Sequence, residues 1–285
     1  MKLKTLLSII SIILLNIGGV IAKSPNFNDE RKVFEDIKSD STFHDRLTSY
    51  QPMYFLYGIE PSAKKSSFQL SFKYRLFSEQ GLISDNIPWI VNTYFGYVQK
   101  SLWDLNSKSK PFEDTSYMPE LFYKNDDLKI ELYGITLSSI QTGFRHESNG
   151  QSDDFSRSTN YIYFKPSFNI YDNGITKINL NSEAFFYVNN DDSGNEDLEK
   201  YRGYGYISAD FVKIDSGFKL STKYVPAQKG DSFQIDMSYP LTELFDGRGD
   251  LAFYLYVQYY NGYSETLLNY SIKDDIIRLG FAFVP

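Results

Sequence analysis

The stretch Phe68-Gln69-Leu70-Ser71-Phe72-Lys73-Tyr74-Arg75-Leu76 alternates without a break. Successive side chains of a strand point to opposite faces. Phe68, Leu70, Phe72, Tyr74 and Leu76 therefore form an apolar face, and Gln69, Ser71, Lys73 and Arg75 a polar one. The pattern returns in Leu251 to Tyr259, where Leu251, Phe253, Leu255, Val257 and Tyr259 oppose Ala252, Tyr254, Tyr256 and Gln258. Near the C-terminus Ile277, Leu279, Phe281 and Phe283 oppose Arg278, Gly280 and Ala282. A water-soluble sandwich also alternates, with its apolar face inward. Composition separates the two cases. The chain holds 24 Tyr and 23 Phe in 285 residues, a load that suits a barrel with an apolar exterior and aromatic girdles. No apolar run after the first 22 residues approaches the length of about 18 that a spanning helix needs.

The expected fold is thus all-β: a twelve-stranded antiparallel transmembrane β-barrel of the outer-membrane type. The strand segments fall near 50–58, 66–77, 91–103, 117–124, 128–146, 156–171, 175–189, 199–211, 213–224, 230–240, 249–261 and 268–283. An even number suits a single-chain bacterial barrel. Turn signals separate several of them, at Asn125-Asp126-Asp127, Asp172-Asn173-Gly174 and Asp246-Gly247-Arg248-Gly249. No internal repeat is visible.

Ahead of the barrel, Lys2 and Lys4, an apolar stretch from Leu6 to Leu15 and the small residues around Ala22 read as a signal peptide over 1–22. Residues 23–49 are polar and charged, as expected of a periplasmic extension, with the barrel occupying 50–285. The chain has no cysteine, which excludes disulfides and a lipid anchor through cysteine. With only two histidines and no cysteine, composition also argues against a zinc site of the usual nitrogen and sulfur type. A net charge of −7 argues against nucleic acid as a partner.

One of the two histidines lies in Gly143-Phe144-Arg145-His146-Glu147-Ser148-Asn149-Gly150, with Asn160 twelve residues past the serine. A strand period puts His146 and Ser148 on one face. A serine, a histidine and a third polar group to orient the ring are the minimum for nucleophilic acyl chemistry. The pattern His-x-Ser by itself is more often a polar strand end running into a turn. Its neighbours change the balance. His146 and Ser148 share a face with Ile140 and Phe144, and Asn160 shares one with Ile162, Phe164 and Phe168. In a membrane barrel those faces meet lipid, where unpaired polar groups are costly. The placement makes sense when the substrate is itself a lipid. His44, with no serine motif nearby, reads as a solvated residue.

The run from His146 to Asn160 resembles the active-site signature of the outer-membrane phospholipase A family. Gln99-Lys100-Ser101-Leu102-Trp103, Ser109-Lys110-Pro111-Phe112, Pro119-Glu120-Leu121-Phe122 and Gly262-Tyr263-Ser264-Glu265-Thr266-Leu267 stand in that family's order, so the resemblance covers nearly the whole chain after the signal. It implies a twelve-stranded barrel of Gram-negative outer membranes that hydrolyses phospholipid acyl esters with calcium. It further implies Ser148 as nucleophile, His146 as general base, Asn160 as the orienting group and the Gly150 amide as an oxyanion donor. Calcium would be held by the Gln151 carbonyl, Asp153 and Ser156, and completed by Ser109 of a second subunit. Gln151 stands where the family usually has a basic residue, but only its backbone is needed. Gln99 matches an intramembrane glutamine that pairs across a homodimer. Asp192 matches a second calcium residue, and equally reads as a solvated loop charge. The chain departs from the common barrel ending, closing on Phe283-Val284-Pro285. A barrel without catalysis, such as a channel or adhesin, is the alternative. A secreted soluble β-domain is the third reading.

Overall fold

The computed structural model describes residues 46–60, 65–190, 194–245 and 253–284. The expected signal peptide, the extension up to residue 45 with His44, the turn at 246–249 and Asp192 lie outside them.

Twelve strands close into one antiparallel barrel: β2 (Met53–Glu60), β3 (Ser66–Arg75), β4 (Thr93–Trp103), β5 (Phe112–Asn125), β7 (Ile135–Ser148), β8 (Ser158–Asp172), β9 (Thr176–Asn190), β10 (Gly205–Lys213), β11 (Phe218–Val225), β12 (Ser232–Pro240), β13 (Tyr254–Gly262) and β14 (Asp274–Val284). Each pairs with the next, β14 returns to β2, and the β3–β4 pairing completes the ring, leaving no free edge. Closure leaves no sheet edge facing hydrocarbon, which a bilayer core requires. Two short strands lie beside the ring. β1 (Leu47–Thr48) pairs with β3, and β6 (Ile130–Leu132) pairs with β7.

The wall is inverted relative to a soluble protein. On β3 the polar Gln69 and Ser71 are buried while Leu70 is 51% exposed and Phe72 38%. On β14 Arg278 is fully buried, whereas Ile277, Leu279, Phe281 and Phe283 point outward. The exposed apolar side chains face the bilayer, where burial in hydrocarbon replaces burial in a protein core. Aromatic contacts gather on this wall near one barrel end: Trp103 meets Phe55, Phe68 and Phe112 at ring-centroid distances of 6.1, 6.5 and 5.1 Å. Such amphipathic and aromatic side chains mark a membrane interface.

The lumen is filled with polar side chains that answer one another. Arg145 pairs with Glu120 and Glu183 at 3.2 and 3.3 Å. Tyr163 donates to Glu120 at 2.6 Å, and Gln141 donates to Tyr163 at 2.6 Å. On the opposite wall Arg278 pairs with Glu265 at 2.7 Å, and Lys100 reaches the same carboxylate at 3.1 Å. The rings of Tyr50, Phe122 and Tyr94 stack on one another inside the wall. The buried carboxylates Glu120, Glu147, Glu183 and Glu265 each meet an arginine, as low-dielectric surroundings favour.

The structure departs from the sequence reading chiefly at three segments. The last strand begins at Asp274, not near residue 268, and the residues before it form a loop. The segment 128–146 is not one strand: β6 continues the direction of β5, and the chain reverses at Tyr133 and Gly134, both with positive φ, before β7 begins. Asn125-Asp126-Asp127 is therefore a break within one hairpin arm rather than its turn. The segment 199–211 begins as the helix Leu198–Arg202, not as strand. Glu199 lies in its first turn, Lys200 and Arg202 in its last, and Gly203 ends it at φ 68°. These are ordinary helix start and stop signals.

Candidate active site

Alternating strand directions place the loops 104–111, 149–157 and 263–273 and the helix Leu198–Arg202 at one barrel end. The motif runs off the end of β7 into the second of these loops. Along β7, Gln141, Arg145 and Glu147 turn inward, and Phe144, His146 and Ser148 turn outward. On β8, Thr159, Tyr161 and Tyr163 turn inward while Asn160, Ile162 and Phe164 turn outward. The two strands are in register with His146 directly opposite Asn160 and Ser148 opposite Ser158.

The register brings the side chains together. His146 Nδ1 lies 2.8 Å from Asn160 Oδ1. An amide oxygen accepts, so this contact selects the tautomer with the proton on Nδ1 and leaves the Nε2 lone pair available. Ser148 stands on the same outward face, two residues further along β7. Phe144 and Ile162, 43% and 50% exposed, flank the pair and give the site an apolar floor open to the bilayer. A β-bulge lies across from Asn160: β9 pairs Asn189 with Asn160 and Tyr187 with Tyr161, so Val188 is an extra residue. Bulges of this kind re-aim side chains beside functional sites.

Loop 149–157 is held by Asn149, which is 4% exposed. Its Nδ2 donates to Phe155 O at 2.8 Å, and its Oδ1 accepts from the amides of Arg157 and Gln151 at 2.9 and 3.3 Å. Arg157 Nη1 donates to the carbonyls of Asp154 and Ser156, each at 2.8 Å. The loop is thus an ordered scaffold for Gly150 to Ser156. Gly150 adopts φ 67°, and an added Cβ would lie 2.9 Å from Tyr117 Cε2, so both conformation and space require glycine. Asp153 opens the turn Asp153–Phe155 with φ 54°, and its Oδ2 accepts from Ser152 Oγ at 3.0 Å.

The oxygen donors Gln151, Asp153 and Ser156 all lie on this one loop. Among the described residues no group of three or more His, Cys, Asp or Glu gathers as a metal site. Backbone and hydroxyl oxygens with a single carboxylate suit a hard cation such as calcium and do not suit zinc. Ser109 is exposed on loop 104–111, at the same barrel end but two strands away. That loop is pinned by Asp104, which accepts from the amides of Asn106 and Ser107, both at 3.0 Å. Gln99 lies on the outward face of β4 and accepts from Tyr97 at 3.1 Å, a polar side chain on an otherwise apolar wall.

A closed barrel with an apolar outer wall and a polar lumen defines an outer-membrane β-barrel. The family model described as Phospholipase A1 matches residues 41–283. The curated phospholipase A1 of Escherichia coli strain K12 is 32% identical over 223 residues, spanning 75% of this chain and 67% of that protein. The solved outer membrane phospholipase A from Escherichia coli superposes with a TM-score of 0.67 at 28% identity, covering 83% of this chain and 97% of that one. The Salmonella typhi outer membrane phospholipase dimer with bound calcium matches equally, with a TM-score of 0.67, 28% identity and coverage of 83% and 91%. The chain belongs to the phospholipase A1 family and is an outer-membrane β-barrel enzyme. The channel, adhesin and soluble-domain readings fall with that assignment.

Sequence reasoning passed over Asn149 as the brace of the loop, the bulge at Val188 and the partners of Glu147. An Asn before a Gly is a turn signal, so the first was open to reading. The other two depend on which strands become neighbours.

Proposed function

We propose that this enzyme cleaves acyl esters of membrane phospholipids, of the phospholipase A1, A2 and lysophospholipase type, through Ser148, His146 and Asn160. The observation that carries this is the 2.8 Å His146–Asn160 contact on the lipid-facing wall. Ser148 Oγ attacks the ester carbonyl while His146 takes its proton. Asn160 keeps the imidazole oriented. The amide of Gly150 donates to the developing oxyanion. The intermediate collapses, and His146 returns the proton to the departing glycerol oxygen, releasing the lysolipid. Water, activated in turn by His146, then frees the acyl chain from Ser148.

Calcium fits this reading. The Gln151 carbonyl, Asp153 and Ser156 would hold it, and its positive charge would stabilise the oxyanion. The dimeric, calcium-bound Salmonella typhi relative supports two features of the same reading. Ser109 of a second copy would complete the calcium shell, and Gln99 would pair with its counterpart across the contact. One carboxylate is a weak anchor, so dimerisation and calcium binding should reinforce each other.

Release of fatty acid from phospholipid in mixed micelles by purified protein is the direct test; no release in the presence of calcium would sink the proposal. The shared site predicts that calcium and a substrate analogue increase crosslinked dimer. Ser109→Ala should then raise the calcium needed for half-maximal rate severalfold. Monomers held at high dilution that turn over as fast as dimers would exclude it. Gly150→Ala should lower the rate by about ten- to hundredfold, because a displaced donor loses its aim. The variant should keep the heat-modifiable electrophoretic shift of a folded barrel. An unchanged rate would remove Gly150 from the site.

A further inference from the structure

The strand that carries His146 and Ser148 is incompletely zipped to β5. Their ladder pairs Tyr117 with Ser148 and Glu120 with Arg145. The two positions between, Met118 and Pro119, lie opposite Glu147 and His146 by this register and are not paired with them. Proline within a strand marks such irregularities. Backbone support from β5 is therefore interrupted where the imidazole is mounted, and β7 is held there from the β8 side alone.

Side chains on the lumen side span that gap. Glu147, between the two site residues, is 5% exposed and points inward. It accepts from Arg202 Nη1 at 2.6 Å and from Ser116 Oγ at 2.8 Å. Arg202 is the last residue of the helix Leu198–Arg202. Asn195, just ahead of that helix and fully buried, donates to Ser158 O at 2.7 Å, two residues before Asn160. One loop thus ties both site strands from behind. The loop is anchored in turn where Tyr270 donates to Asp197 at 2.7 Å.

We propose that Arg202 is a positioning residue for the hydrolytic site: its ion pair with Glu147 holds the unzipped stretch of β7 so that His146 and Ser148 keep their outward aim. This rests on the Ser148–His146–Asn160 reading. Arg202 lies inside the barrel and touches no substrate. It acts on the turnover step, because sub-ångström strand movement alters the attack geometry while the lipid-facing surface that binds acyl chains stays in place.

The test compares Arg202→Gln, Glu147→Gln and their double variant with Ser148→Ala, in mixed micelles with calcium. Folded barrel is scored by heat-modifiable migration. Two readouts follow: the kcat–KM split, and the rate at which a fluorophosphonate labels the serine. Each single variant should lower kcat about tenfold or more with KM within about twofold. Labelling should slow in parallel, and the double variant should be no worse than either single one. Asp236→Asn is the control. Asp236 is a lumen carboxylate on β12, bonded by Gln258 at 2.9 Å and away from the site strands, and its variant should leave kcat unchanged. A folded Arg202→Gln with parental kcat and labelling, beside an inactive Ser148→Ala, overturns the clamp alone. An active Ser148→Ala overturns the site reading on which the clamp rests. Should the neutral variants fail to insert, Arg202→Lys decides. It keeps the charge but loses the guanidinium fork. A kcat lowered about threefold or more at constant KM supports the clamp, and a smaller change overturns it.

Discussion

Ser148→Ala is expected to remove at least about four orders of magnitude of esterase activity, because nucleophile and base act as one unit. The barrel should survive, since one hydroxyl is lost from an exterior face and no lumen contact changes. His146→Ala should be comparably severe, and the double variant no worse than either. Asn160→Ala should cost about hundredfold or less: it removes the 2.8 Å contact that selects the tautomer, but a neutral amide stabilises the imidazolium less than a carboxylate would. The measurement is fatty-acid release per folded barrel. Activity near the parent level in Ser148→Ala would end the assignment of the nucleophile.

Removal of calcium is expected to be nearly as damaging. A chelator in excess should abolish turnover, and added calcium should restore it. Asp153→Asn removes the one carboxylate among the three loop donors while keeping the side chain's shape. It should raise the calcium concentration for half-maximal rate by about tenfold, the equivalent of losing one charge-assisted contact worth about 1.4 kcal/mol. Magnesium should substitute poorly, because it demands a compact octahedral shell that a carbonyl, a hydroxyl and a turn carboxylate do not provide. Full activity in chelator would show that the metal has no place in this enzyme.

Much of this was legible in the residues, for identifiable reasons. Alternation survives translation into structure because a strand has only two faces. Phe68 to Leu76 therefore displayed its sidedness before any neighbour was known, and the aromatic load told which side met lipid. The outward facing of His146, Ser148 and Asn160 followed from the same parity. What stayed hidden depends on pairing between distant strands. The gap opposite Pro119, the bulge at Val188 and the Arg202–Glu147 pair exist only once β5, β7, β8 and the β9–β10 connection are set side by side. The helix Leu198–Arg202 was misread for a different reason. Five residues are too few for a periodic signal, so its end signals were outweighed by the alternation that follows from Gly205. At Tyr133 and Gly134 a glycine was available as a cue, but the acidic cluster at Asn125 drew the turn eight residues early.

The inverted wall has a consequence for how this gene can vary. Along β7 the chain changes solvent at every residue: Arg145 and Glu147 answer to a wet, charge-balanced interior, and Phe144, His146 and Ser148 to hydrocarbon and substrate. Neighbouring side chains of one strand therefore answer to different solvents. A substitution at an outward position acts first on contact with hydrocarbon, and one at an inward position on the packing of the lumen. The two registers of a strand can thus be redesigned one at a time, except at Glu147, whose inward side chain is bound to the same loop that braces the strand carrying the outward pair.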